Sequence, residues 1–185
     1  MGSANKLLLI LLLVILTGCG GMMDDLNPSG SDKRPPVQCG ITGPSVCQIA
    51  PDFTLSDTQG TSVTLSSELT TTNRIGVVIY FTMWCPYCDS DMTDIRNRFI
   101  PSHPNVRFYA VDYVSGSVAG AASAELANGY TGSEFVVLAD TQQTVLNLYQ
   151  ATMQTTIVID SAGVVRMNES YKNGARLQAA LSGLP

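Results

Sequence analysis

The stretch Val77–Cys88, VVIYFTMWCPYC, decides the fold class of this chain. It opens with a continuous run of β-branched and aromatic residues, which is typical of a strand covered on both faces. It closes with two cysteines, the first of which is followed directly by Pro86. Because proline has no amide hydrogen to donate, it suits the first position of a helix. The stretch therefore predicts a buried strand that passes directly into a helix, with Cys85 at the junction.

The residues after Cys85 predict a helix as far as Phe99. Cys88, Met92, Ile95 and Phe99 recur at helical spacing and form one apolar stripe. The stripe indicates that Cys88 is buried, whereas Cys85 lies at the exposed tip of the helix.

Strands and helices alternate along the rest of the chain. We predict a short strand near 62–65 with a helical turn after it, strands at 74–82, 105–114, 134–140, 155–160 and 164–168, and helices at 117–129, 141–150 and 173–184. From Arg74 onward the order is β-α-β-α-β-α-β-β-α. This order, which ends in a hairpin, predicts an α/β fold with a central mixed sheet flanked by helices.

Composition narrows the class of protein. With 185 residues, of which 45% are hydrophobic and 14% charged, the chain suits one globular domain with accessory segments. Its formal net charge is −5 and it has no basic patch, so nucleic-acid binding is not predicted. We expect a monomer.

The N-terminus is typical of an export signal. Lys6 precedes the apolar run Leu7–Leu16, which is shorter than the roughly 20 residues of a membrane-spanning helix but has the length of a signal-peptide core. The residues LTGC, which end at Cys19, resemble the bacterial lipobox, in which the cysteine receives a lipid. We therefore predict a lipoprotein signal peptide at 1–18 and an extracytoplasmic protein anchored through Cys19. Gly20 at the next position favours the outer over the inner membrane, and an uncleaved short membrane anchor is the alternative.

A segment rich in Gly, Pro, Ser and Asp at 19–36 predicts a flexible tether, which leaves 37–185 for the folded domain. Within that domain, Cys39 and Cys47 enclose a turn-rich loop. Disulfides persist in exported proteins. We predict a structural disulfide that pins the start of the domain. A second redox pair, which relays electrons to the Cys-x-x-Cys pair, is the open alternative.

Cys85 and Cys88 have the arrangement that disulfide exchange requires. A thiol attacks a disulfide as the thiolate, and unpaired N–H groups at a helix N-terminus stabilise that charge on Cys85. Cys88, one turn further on, is close enough to form a disulfide. We predict that Cys85 attacks the partner and Cys88 resolves the mixed disulfide, so that the redox-active disulfide takes the place of a bound cofactor. A static disulfide and half of a metal site are the alternatives.

Three neighbours are candidate catalytic residues as well. Trp84 is expected to pack beside the dithiol, and Pro86 to begin the helix. Asp91, one turn beyond the second cysteine, is in position to exchange the proton of that thiol. In the alternative interpretation, Asp89, Asp91 and Asp94 are acids near the start of the helix that complement its dipole.

Four segments resemble the thioredoxin superfamily, and within it the TlpA/ResA-type thiol–disulfide oxidoreductases of the wider redoxin (AhpC/TSA-like) group. They are APDFTL (50–55), VVIYFTMWCPYC (77–88), VLADTQQTVLNLY (137–149) and TTIVIDSAGVV (155–165). The resemblance covers about Ala50 to Leu184 and implies a thioredoxin-like fold, a redox-active dithiol and export. It also implies that the protein reduces or exchanges disulfides in exported proteins, with electrons from a membrane or periplasmic thiol donor.

The chain departs from this family at two positions. Ile79 stands where thioredoxin has a buried aspartate. Gln154 stands where the family has a proline after a cis peptide bond. Because a cis bond without proline costs about 2.5–4 kcal/mol, we predict a trans bond here. The loop Met153–Gln154–Thr155, whose backbone is expected to bind the partner, should therefore differ from that of the family.

Two other functions remain as alternatives. Redoxin-type thiol peroxidases carry Pro-x-x-x-Thr-x-x-Cys; Thr82 fits this motif, but Val78 replaces its proline. A non-enzymatic metal-handling module is the second alternative, since the family's proline is missing beside the dithiol. His103, the single histidine, lies in a loop between two prolines and is expected to be solvated. We therefore predict no metal ligands.

Overall fold

The computed structural model describes residues 36–185. The predicted signal peptide at 1–18, the lipidation site Cys19 and the tether as far as residue 35 lie outside the described residues. Among residues 36–185, no helix is both long and apolar enough to cross a bilayer.

Within residues 36–185, seven strands form one sheet in the order β2-β1-β5-β4-β3-β6-β7. Their bounds are β1 (Thr54–Asp57), β2 (Ser62–Thr64), β3 (Gly76–Thr82), β4 (Val106–Asp112), β5 (Val136–Ala139), β6 (Thr155–Asp160) and β7 (Val165–Ser170). β3 is parallel to β4 and antiparallel to β6, so the sheet is mixed. β1 contains a single apolar residue, Leu55, and pairing with β2 and β5 makes this extended segment a strand.

Five α-helices flank the sheet, and the predicted α/β fold is confirmed. They are α1 (Leu65–Leu69), α2 (Pro86–Asp94), α3 (Val118–Ala127), α4 (Thr144–Leu148) and α5 (Ala175–Ser182), within residues 36–185. The helix predicted to reach Phe99 is α-helical only to Asp94 and continues as a π-helical turn, Ile95–Phe99. In that turn, the Ile100 N–H donates to the Ile95 carbonyl.

The alternation of side chains in β3 decides which residues reach α2. Every residue of β3 is buried, as predicted for a strand covered on both faces. Tyr80 packs with Cys88 and Met92 of α2. Ile79 packs in the other hydrophobic cluster, on the opposite face of the sheet. Ile79 therefore faces away from the dithiol, whereas Tyr80 lies on the same face of the sheet as α2.

The N-terminal segment is fastened to the β6–β7 hairpin. Cys39 and Cys47 form a disulfide, with their Cα atoms 4.9 Å apart. The Cys47 N–H donates to the Val165 carbonyl at 2.9 Å, and the Ala50 N–H donates to the Gly163 carbonyl at 2.8 Å. This disulfide therefore closes a loop that lies against the turn and the start of β7.

Candidate active site

The dithiol lies at the junction of β3 and α2. Cys85 is the N-cap of α2 and Pro86 is its first residue. The N–H of Cys88 donates to Cys85 Sγ at 3.1 Å, and the two cysteines form a disulfide with Cα atoms 5.0 Å apart. Cys88 is fully buried, whereas Cys85 is half-buried. The sulfur that a partner can reach is therefore also the one that receives a helix N–H group.

The surroundings of Cys85 favour a thiolate in the reduced protein. The free N–H groups at the start of α2 and the helix dipole stabilise negative charge there. The acid in the first turn, Asp89, opposes that effect. Its Oδ1 accepts a hydrogen bond from the Tyr130 hydroxyl at 2.9 Å, which holds this carboxylate in place.

Trp84 packs beside the dithiol and is anchored by a residue that the sequence did not single out. Its indole N–H donates to Asp112 Oδ2 at 2.7 Å, and its ring lies 6.1 Å from that of Tyr130. Trp84 also has a left-handed backbone, with φ of 59°. Asp112 is in register with Thr82 across the parallel pair β4 and β3. Parallel strands end at the same edge of a sheet. The aspartate at the end of β4 was therefore the one sequence feature from which its position near the dithiol could have been predicted.

Asp112 is almost fully buried, and its carboxylate is satisfied by the loop that follows β4. Its Oδ1 accepts hydrogen bonds from the N–H groups of Val114 and Ser115, both at 2.9 Å. The Ser115 hydroxyl donates to Oδ2. Asp112 thus connects Trp84, beside Cys85, to the turn after β4.

Asp91 is a buried acid, with 8% of its surface exposed. Its Oδ2 accepts hydrogen bonds from the Tyr80 hydroxyl at 3.0 Å and from Gln154 Nε2 at 2.8 Å. Burial raises the pKa of Asp91, and the hydrogen bonds from Gln154 and Tyr80 oppose that rise. Burial and the neighbouring Asp91 likewise raise the pKa of Tyr80. Asp91 is therefore not a solvated acid of the helix surface.

The loop before β6 faces the dithiol with Met153, whose Sδ lies 3.5 Å from Cys85 Sγ. None of the peptide bonds in residues 36–185 is cis, so the bond before Gln154 is trans, as predicted. The Gln154 N–H donates to the Phe81 carbonyl at 3.0 Å, and the Gln154 carbonyl accepts from the Tyr171 N–H at 2.9 Å. The Thr155 N–H donates within the loop.

Three backbone positions were predicted to bind a partner. Within the described part of the chain, Met153 is the one whose N–H and carbonyl groups make no hydrogen bond to other backbone groups. The N–H groups of Gln154 and Thr155 are already used within the fold, so the free backbone groups of this loop that a partner could pair with are those of Met153. Three exposed apolar side chains lie in segments next to the dithiol: Met83 (43% exposed) and Tyr87 (73%) flank Cys85 in sequence, and Val114 (46%) lies in the turn bound by Asp112.

Two other candidate regions lie apart from the dithiol. His103 follows the π-helical turn, where its Nδ1 lies 2.8 Å from the Phe99 carbonyl. Cys47 contacts Val165, which pairs with Ile159. Ile159 is four residues, about 13 Å, along β6 from Thr155 at the dithiol end. Within residues 36–185, no three His, Cys, Asp or Glu side chains are grouped to hold a metal ion.

A mixed sheet, a buried strand that leads into a helix, and a Cys-x-x-Cys disulfide at that helix N-terminus define a thioredoxin-fold dithiol protein. The AhpC/TSA family matches residues 46–168, and the chain belongs to that family. Family membership and the dithiol geometry together support thiol–disulfide oxidoreductase activity. No curated protein matches the chain by sequence.

Solved structures have the same fold. Peroxidoxin BcpB from Mycobacterium tuberculosis is 22% identical with a TM-score of 0.57, over 73% of this chain and 92% of that one. A secreted M. tuberculosis disulfide oxidoreductase homologous to DsbE of E. coli is 17% identical with a TM-score of 0.54, over 71% and 96%. DsbF of M. tuberculosis is 26% identical with a TM-score of 0.51, over 69% and 94%.

Proposed function

We propose that this chain is a membrane-anchored, extracytoplasmic thiol–disulfide oxidoreductase that acts on disulfides of exported proteins. One observation carries the proposal: a half-buried Cys85 at the N-terminus of α2 is bonded to a fully buried Cys88. Access to the first sulfur and enclosure of the second are what a nucleophile and a resolving thiol need.

In the first step, the Cys85 thiolate attacks one sulfur of the partner disulfide. A bond forms between Cys85 Sγ and that sulfur, the partner's S–S bond breaks, and its other sulfur leaves as a thiolate. The N–H groups at the start of α2 stabilise the attacking charge. Partner backbone pairs with the free polar groups of Met153, while the exposed apolar side chains of Met83, Tyr87 and Val114 contact its side chains.

In the second step, Cys88 resolves the mixed disulfide. Its proton passes to Asp91, its sulfur bonds to Cys85 Sγ, and the second partner sulfur leaves as a thiolate. Protons from Asp91 and solvent convert both partner thiolates to thiols. The partner gains two electrons and the dithiol loses two, so an external thiol donor must reduce Cys85–Cys88 again. The reverse sequence oxidises a partner dithiol.

Insulin reduction with dithiothreitol as electron donor tests this mechanism. We expect the wild type to accelerate precipitation of the insulin B chain, and Cys85→Ser to give no rate above dithiothreitol alone. Cys39→Ser/Cys47→Ser is the matched control, because it removes the other disulfide and should retain activity. Wild-type activity in Cys85→Ser would refute the proposal.

The location rests on the sequence of the N-terminus and on the secreted relative. The apolar run Leu7–Leu16 predicts export, and the LTGC motif predicts a lipid on Cys19. We expect the full-length protein in the outer-membrane fraction, labelled by fatty acid, and Cys19→Ser to lose the label. A wild type without the label, or Cys19→Ser that keeps it, would contradict a lipid on Cys19.

The peroxidase alternative has less support. Thr82, the residue that fits the peroxidase motif, is fully buried. Its Oγ1 accepts a hydrogen bond from the Trp84 N–H at 3.0 Å. The hydroxyl oxygen is thus engaged by the backbone of the loop before Cys85, and no hydrogen bond joins Thr82 to Cys85 within residues 36–185. Turnover of hydrogen peroxide at rates comparable to insulin reduction would restore this alternative.

A second candidate function, handling of Cu(I), is favoured by one observation. The Met153 thioether lies 3.5 Å from Cys85 Sγ, so the reduced site gathers two thiols and a thioether. Soft sulfur ligands of this kind select Cu(I). Anaerobic titration of the reduced protein with Cu(I) against a chromogenic chelator tests it. Tight binding of one equivalent, weakened at least tenfold in Met153→Leu, is the supporting result.

A further inference from the structure

Gln154 takes part in the site through its side chain. Its Nε2 donates to Asp91 Oδ2 at 2.8 Å, and the Tyr80 hydroxyl donates to the same oxygen at 3.0 Å. No hydrogen bond to Asp91 Oδ1 occurs among residues 36–185. The two oxygens of this buried carboxylate are therefore not equivalent: Oδ2 is held by two donors, and Oδ1 is left for another group.

The backbone holds Gln154 in the conformation that makes this contact. Its φ of 66° is left-handed, a conformation that is strained for a residue other than glycine. Hydrogen bonds to Phe81 and from Tyr171 fix it on both sides. A proline, whose φ is near −65° and which has no N–H, fits neither this conformation nor the bond to Phe81. The residue in the place of the family's proline thus brings an amide donor to a buried acid.

We propose that Gln154 is a positioning residue that fixes Oδ2 of Asp91, so that Oδ1 accepts the proton of Cys88 in the resolving step. The inference rests on the proposed function. In this step the S–H bond of Cys88 breaks and an O–H bond forms at Asp91 Oδ1. The Cys88 sulfur bonds to Cys85, and the partner sulfur leaves with the electron pair of the mixed disulfide.

The electrostatics of Asp91 give the direction of the effect. Hydrogen bonds from Gln154 and Tyr80 favour the carboxylate, so removing either donor raises the pKa of Asp91 further. No ion pair reaches Asp91 within the described residues. The titratable and charged groups around it are Tyr80 of β3, Cys88 and Asp94 on α2, Arg98 paired with Asp94, and Tyr171 after β7.

Stopped-flow reaction with 5,5′-dithiobis(2-nitrobenzoate) isolates the resolving step. The full-length protein, solubilised in detergent and reduced, releases one thionitrobenzoate when Cys85 attacks and a second when Cys88 resolves. The first phase depends on reagent concentration and the second does not. The pH dependence of the second phase then reports the group that accepts the Cys88 proton.

Gln154→Met keeps the length of the side chain but removes the donor. We expect the acidic limb of the second phase to move to higher pH by roughly one pH unit, the size expected for one hydrogen bond to a charged group. The first phase should change less than about twofold. Tyr80→Phe, which removes the other donor, should shift the same limb in the same direction. Gln150→Met is the control, since Gln150 is exposed and has φ of 51°.

An Asp91→Asn background separates positioning from a structural effect. There, Gln154→Met should cause no further shift of the second phase. The role of Gln154 is overturned if Gln154→Met leaves the acidic limb of the second phase unshifted, or if it shifts that limb equally in the Asp91→Asn background. It is also overturned if Gln154→Met changes the first phase as much as the second, or if Gln150→Met shifts the limb as much as Gln154→Met does. Failure of the proposed function looks different: the wild type then shows no second phase, and Cys85→Ser reduces insulin.

Discussion

The two disulfides have nearly the same Cα separation, 4.9 Å for Cys39–Cys47 and 5.0 Å for Cys85–Cys88, but different surroundings. Cys39 is exposed and Cys47 has a left-handed backbone, both in a loop. Cys85 instead caps a helix and its sulfur receives an N–H hydrogen bond. Within the described residues, no helix begins at the first disulfide.

Chain entropy does not separate the two bonds. With sequence separations of 8 and 3, loop closure stabilises them by about 2.6 and 1.9 kcal/mol, a difference below about 1 kcal/mol. The difference in reactivity that we expect must therefore come from what stabilises the reduced form. At Cys85 the helix N-terminus stabilises the thiolate, and at Cys39 no such group is present in the described structure.

Graded reduction is the strongest test of the expected difference between the two disulfides. We expect Cys85–Cys88 to be reduced at a potential at least about 60 mV less negative than Cys39–Cys47, or about 2.8 kcal/mol. Alkylation and mass spectrometry of protein equilibrated in dithiothreitol buffers measure both midpoints. Equal midpoints would remove the distinction and favour the electron relay.

Loss of the first disulfide should affect stability but not chemistry. Cys39→Ser/Cys47→Ser should lower the free energy of unfolding by about 2.5 kcal/mol, because the unfolded chain loses a closed loop. Urea unfolding measures this change, and insulin reduction should stay within about twofold of wild type. A large loss of activity would show that the N-terminal loop takes part in catalysis.

Trp84→Phe tests whether the two disulfides are independent, since it should change the reduction midpoint of Cys85–Cys88 alone. It removes the hydrogen bond to Asp112, which costs about 1.5 kcal/mol of unfolding free energy for a charged acceptor. The midpoint of Cys85–Cys88 should shift and that of Cys39–Cys47 should not. Tyr87→Phe, at a site 73% exposed, is the control and should change neither. Equal shifts in both midpoints would mean that Trp84 stabilises the whole fold and not the dithiol alone.

The smallest expected effect is a pH-dependent one at Asp91. Its raised pKa means that the native state binds a proton more readily than the unfolded chain does. Stability from this group is therefore present below the ordinary Asp pKa and is lost as pH rises through the raised value. Asp91→Asn lacks this loss, so its stability relative to wild type should increase over that window. Urea unfolding across pH 3–8 measures it; a constant difference would contradict the prediction.

The fold was largely predictable because its signals are local. The apolar run of β3, the stripe that contains Cys88, and Pro86 at the helix start each follow from neighbouring residues. The π-helical turn at Ile95–Phe99 was not predictable, because the stripe has the same spacing in an α-helix. Strand β1 has a weak local signal, a single apolar residue, and its pairing with β5 joins segments that lie far apart in sequence.

The sequence by itself determined that a buried strand leads into a helix beginning at Cys85, with Cys88 one turn deeper, because hydrophobic periodicity and proline act over a few residues. Only the tertiary structure decided what surrounds that dithiol: Asp112 on Trp84, Tyr80 and Gln154 on Asp91, and Met153 against Cys85. These contacts join residues 11 to 68 positions apart. The pairing of strands and the seating of α2 on the sheet fix such contacts, and no local pattern encodes them.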